Sequence, residues 1–141
     1  MRLVMLGTGP FAVPTLAALA ASLHEVALVV ARPPKGRDVQ AGPLQGAGSD
    51  RAFSVWPPAS VNLPESQSRL TALGADLLVV CDYGEILKPA TLATTRLGGI
   101  NLHGSLLPKF RGAAPVQWAI LSGETETSNS VIQMTPVLDA G

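Results

Sequence analysis

The chain has 141 residues and a mass of 14.5 kDa, room for one domain and not for two. Hydrophobic residues make up 47% and charged residues 14%, enough apolar material for a core, which excludes wholesale disorder. Ten basic and ten acidic side chains cancel, so no global field draws the chain to nucleic acid or an anionic membrane.

Residues 2–6 form a short apolar run ended by Gly7, which predicts a buried parallel strand. Pro10 suits a first helical turn, and the Ala- and Leu-rich residues 11–23 continue it as a helix. Residues 25–31 supply a second apolar strand and complete a right-handed βαβ unit. Over residues 32–50 the composition turns to Pro, Gly, Lys and Arg with neither period, which predicts a long mobile loop. Alternation returns at 52–56 and stops at Pro57 and Pro58. Residues 65–73 read as a helix closed by Gly74, and 76–81 as a buried, central strand. A short helix at 89–95 precedes a short strand at 99–102, Pro115 opens a helix to about 121, and 130–134 is the last strand. Strands alternating with helices predict an α/β fold. Its form is a Rossmann-like, open, mostly parallel sheet with helices on both faces and ligands beyond the strands' carboxyl ends.

One cysteine, Cys81, excludes an internal disulfide, and no metal-ligand spacing accompanies it. No apolar run approaches the roughly 18 residues of a membrane span, and the start carries no leader-like cleavage site. A soluble cytoplasmic domain without metal is the expectation, with oligomeric state left open.

The turn Gly7-Thr8-Gly9-Pro10-Phe11-Ala12 matches G-x-G-x-x-A between a strand and a helix. Three readings stay open for it: a tight turn alone, a phosphate or other polar ligand, or NADP. Pro10 lacks an amide that would cradle phosphate, and Arg32 stands where NAD binding wants an acid but could meet a 2′-phosphate. Of the two histidines, His24 lies between a helix and a strand, where a solvated or capping role suffices. His103 lies at a strand's carboxyl end, and Asn101, two residues earlier, shares its face. An amide donor beside an imidazole suits acyl-type transfer: Asn meets a developing oxyanion while His moves protons near neutral pH.

The run from Asn101 to Trp118, NLHGSLLPKFRGAAPVQW, resembles the signature of the 10-formyltetrahydrofolate-dependent formyltransferases. Within that superfamily it looks most like the members acting on methionyl-tRNA. GTGPFA at residues 7–12, VVCDYGEILKP at 79–89 and the stretch from Ile132 to Gly141 are similar to that family's segments in the same order.

The resemblance implies formyl transfer from 10-formyltetrahydrofolate to the amine of initiator methionyl-tRNA, in translation initiation, without a covalent enzyme intermediate. It implies catalytic roles for Asn101, His103 and Asp139. Asn101 and a donor-form His103 would stabilise the oxyanion, and Asp139 would orient His103 and help remove the amine proton. Ser105, Leu106, Leu107 and Pro108 would contact the folate, and Tyr83, Gly84, Ile86 and Leu87 would wall its pterin pocket. Arg32, Lys35, Arg37 and Arg111 would meet the tRNA. Residues 1–141 would then be the N-terminal catalytic domain, incomplete at its C-terminal end and lacking a C-terminal tRNA-binding domain. Asp82 and Glu85 depart from the family's mostly uncharged positions. Alternatives are a sister formyltransferase acting on glycinamide ribonucleotide or an amino-sugar nucleotide, and a non-catalytic folate- or nucleotide-binding module.

Overall fold

The computed structural model describes residues 1–34, 40–137 and 139. Its strands are β1 (Arg2–Gly7), β2 (Glu25–Val30), β3 (Val55–Trp56), β4 (Leu77–Cys81), β5 (Gly99–His103) and β6 (Ser130–Gln133). Its helices are α1 (Ala12–Ala20), α2 (Pro43–Asp50), α3 (Pro64–Ala72), α4 (Pro89–Leu92) and α5 (Pro115–Leu121). The strands form one sheet in the order β3-β2-β1-β4-β5-β6. Every pairing is parallel except β5 with β6, which is antiparallel.

Side-chain alternation splits the core into two layers. Val4, Leu6, Leu78 and Val80 face one layer, closed by Leu70 of α3 and Leu92 of α4. Leu3, Met5, Val79 and Cys81 face the other, closed by Ala12 and Leu16 of α1 and Leu44 of α2. Helices therefore cover both faces, as the α/β pattern required. All five residues of β4 are buried, which explains its unbroken apolar run.

Three expectations change. Residues 32–50 are not one loop: Pro43–Asp50 form α2, whose Leu44 is fully buried and whose Gly48 packs against Val55 and Val29. With Gly46, Gly48 and Ser49 inside it, that helix has poor intrinsic propensity, so tertiary contact rather than periodicity stabilises it. Residues 35–39 of the predicted mobile segment lie outside the described residues. Pro10 stays outside α1, and Pro14 occupies its third position, where the missing N–H has no intrahelical acceptor anyway. α1 also stops earlier than predicted. Ser22 folds its hydroxyl onto the Leu19 carbonyl at 2.6 Å and takes the His24 amide at 3.2 Å, a local substitute for the next helical turn.

Candidate functional site

The carboxyl ends of β1, β4 and β5 lie along one edge of the sheet, where β5 carries Asn101 and His103 and where Asp139 approaches His103. His103 is the last residue of β5 and is buried, with Ser130 opposite it on β6. Its Nε2 lies 2.9 Å from the Phe110 carbonyl; a carbonyl only accepts, so Nε2 carries the proton in this arrangement. Its Nδ1 points to Asp139 Oδ2 at 3.7 Å, with both side chains less than a tenth exposed. Asp139 Oδ2 also accepts the Gly112 amide at 2.8 Å, so one oxygen ties His103 to the loop that follows β5.

Asn101 is half-buried and pairs in register with Val80 and Ile132. Strand alternation puts it on the face of His103, with Ile100 and Leu102 turned to the opposite core. Phe110, Ala114 and Asp139 all have positive φ, at 56°, 55° and 47°. Two of them, Phe110 and Asp139, touch His103, so its surroundings hold non-glycine backbone in a strained region.

The two folate-assigned segments divide differently from the resemblance. In the first, Tyr83 and Leu87 turn their side chains into the core, while Gly84 and Ile86 are exposed, Ile86 to 72%. Tyr83 therefore reaches a ligand only through its backbone, and its carbonyl already accepts the Thr8 hydroxyl at 3.1 Å. Its own hydroxyl is buried without a partner among the described residues, and burial pushes that phenol far above its ordinary value. In the second segment Ser105 is fully buried and donates to the Lys109 carbonyl at 2.7 Å. Leu106 and Pro108 are exposed and Leu107 half-buried. Ser130, which sequence reasoning missed, donates to the Ser105 carbonyl at 2.8 Å and accepts the Leu107 amide at 3.1 Å. The exposed apolar tips, Ile86 and Leu106, suit a flat heteroaromatic ligand better than a charged one.

The first turn does not present the empty anion cradle its glycine pattern suggests. The Asp82 carboxylate lies against Gly9 so closely that an added Cβ there would clash with Oδ2. Burial pushes the Asp82 carboxyl above its ordinary value, and the hydrogen-bonding Gly9 amide partly offsets this. A cleft of about 430 Å³ runs past Thr8, Gly9, Arg32 and Gly84 with that carboxylate in its wall. A phosphate placed on this turn would meet a like charge, which weighs against the nucleotide readings.

Of the four cationic residues assigned to tRNA, two are described. The Arg32 guanidinium pairs with Glu85 at 3.0 Å, and Arg111 is exposed. Lys35 and Arg37 lie outside the described residues. Lys109 is paired with Glu124 at 2.9 Å. Among the described residues there is no group of three His, Cys, Asp or Glu placed to hold a metal, and no helix is long and apolar enough to cross a membrane.

Comparison with known proteins bears on this geometry. A family model described as formyl transferase matches residues 1–141. The chain is 52% identical to methionyl-tRNA formyltransferase of Rhodopirellula baltica and 45% identical to that of Sphingopyxis alaskensis. These matches take in the whole chain but 44% and 47% of the two relatives, so it spans about half their length. Among solved structures, phosphoribosylglycinamide formyltransferase from Bacillus halodurans superposes with a TM-score of 0.77 at 20% identity. That match covers all of this chain and 75% of the other, and it shares the fold. From the continuous match to the family model and the likeness to full-length relatives, the chain belongs to the formyl transferase family.

Proposed function

We propose that this chain forms the N-terminal catalytic domain of an enzyme transferring a formyl group from 10-formyltetrahydrofolate to the amino group of initiator methionyl-tRNA, in the cytoplasm. The observation that carries this reading is the His103–Asp139 contact at a strand's carboxyl end, with Asn101 on the same face. Asn101 donates to the formyl oxygen as charge develops on it. With Nε2 released from the Phe110 carbonyl, His103 offers a donor to the same oxygen. The proton given up by the attacking amine passes through the imidazole to the leaving nitrogen. Asp139, fixed by the Gly112 amide, holds the ring and balances the positive charge of the imidazolium. The loops carrying Gly84 and Ile86, and Leu106 to Pro108, receive the folate. Lys35, Arg37 and Arg111 meet the tRNA. Three relatives at 52%, 45% and 45% identity are each named methionyl-tRNA formyltransferase, which supports the choice of acceptor.

The test supplies 10-formyltetrahydrofolate with charged initiator tRNA or with phosphoribosylglycinamide, and reads formyl transfer to each. Transfer to the amino group of the charged tRNA, lost in His103→Ala, is expected. Transfer to phosphoribosylglycinamide alone would move the chain to the sister enzymes. Tight binding of a folate analogue with no transfer to either acceptor would make it a binding module.

A further inference from the structure

Arg32 and Glu85 form the least exposed Arg–carboxylate pair among the described residues, with side chains 24% and 14% exposed. The pair does not stand alone. Glu85 Oε1 accepts Asn62 Nδ2 at 2.9 Å and also the Ser60 hydroxyl. The same Asn62 nitrogen reaches the Ile86 carbonyl at 2.9 Å. Asn62 Oδ1 accepts the Lys88 amide and the Thr91 hydroxyl, both at 2.8 Å. Five successive positions, from Gly84 to Lys88, thus contain three that are tied to the 60–62 segment or to the end of β2. This is the segment whose exposed Gly84 and Ile86 are assigned to folate. Surface ion pairs are worth little, but a shielded one embedded in hydrogen bonds can fix a loop.

We propose that Glu85 is a positioning residue for the folate-binding loop and that Arg32 serves as its anchor rather than as an RNA contact. The inference rests on the proposed function for the identity of the ligand and deepens it by moving Arg32 from the acceptor side to the folate side. A guanidinium already satisfied by a shielded carboxylate gains little from a phosphate, since the phosphate must first displace Glu85 and leave that carboxylate unpaired.

Two measurements decide it, on the full chain and on Arg32→Met, Glu85→Gln and the double variant. The first needs no ligand: amide hydrogen exchange at Lys88. Either single change should speed it at least tenfold, and the double variant should add little, because both break the same contact. The second is the affinity of a folate analogue, expected to fall at least fivefold in each single variant. Arg32→Lys should recover part of that loss. tRNA binding should keep its dependence on salt in Arg32→Met, since no phosphate contact is removed. Unchanged Lys88 exchange overturns the clamp. Unchanged analogue affinity, with only a lower melting temperature, reduces the pair to a structural role and overturns positioning. A salt slope shallower by about one in Arg32→Met restores it as an RNA contact and overturns the anchor assignment. A parent chain that binds no folate analogue fails the functional reading and overturns positioning for folate with it, whatever the exchange rates show.

Discussion

Replacing Asp139 by Asn is the sharpest probe of the candidate site. The isosteric amide keeps an oxygen for the Gly112 N–H, so the loop stays tied, while the charge facing His103 disappears. Two unit charges 3.7 Å apart attract by about 4.5 kcal/mol at an effective dielectric of 20. Desolvation of two nearly buried groups cancels part of this, leaving roughly 2–3 kcal/mol for stabilising an imidazolium in the transition state. At 1.36 kcal/mol per factor of ten, that corresponds to a fall in kcat of about 30- to 150-fold. The assay is formyl transfer at saturating folate and acceptor, with thermal unfolding as control. Asp139→Asn combined with His103→Ala should be no slower than His103→Ala alone, since Asp139 acts through the ring. A variant retaining more than about a third of parental kcat would refute the role given to this carboxylate.

The other expectations concern stability. Asp76 accepts the Arg2 amide at 2.8 Å and Arg96 at 3.1 Å, and these donors hold its carboxyl below the ordinary value of 3.8. Its contribution is therefore full above that value and lost as pH falls through the lower folded value. Asp76→Asn should be less stable than the parent at pH 7, with the gap closing in acid as urea midpoints are compared. Asp82 has the opposite sign. Its folded pKa is raised, so the ionised carboxylate costs stability at neutral pH, and Asp82→Asn should unfold at a higher temperature at pH 7 but not at pH 3. Leu44→Ala should destabilise the chain by about 2–5 kcal/mol in chemical denaturation and expose the α2 amides to exchange. A loss below about 0.5 kcal/mol would mean that α2 does not close the core.

Much of the sheet was legible because its central strands are buried on both faces, and an unbroken Val and Leu run such as Leu77–Val80 has few other uses. The Asn101–His103 relation was legible for a local reason: residues two apart on a strand share a face. What escaped depended on distant partners. α2 is a poor helix by composition and forms where Leu44 meets a core built from β1, β2 and β4. The ties of Ser130 to residues 105 and 107, and of Asn62 to 85, 86 and 88, cross more than twenty positions and leave no periodic trace. Asp82 was visible as an unexpected carboxylate, but only the folded turn shows it seated against Gly9.

The placement of β1 between β2 and β4 also sets a timetable for the nascent chain. The Arg2 amide finds its acceptor on Asp76, 74 residues later, and the β4 edge of β1 has no partner until residues 77–81 exist. At about 5–20 residues per second, translation takes roughly 4–15 s to cover that interval. Once β2 is complete at Val30, the apolar edge from Leu3 to Gly7 stands open beside a finished βαβ unit for the rest of it, a ready template for pairing with another chain. Slow decoding between residues 7 and 77 would lengthen that exposure, and a chaperone acting before β4 emerges would shield it.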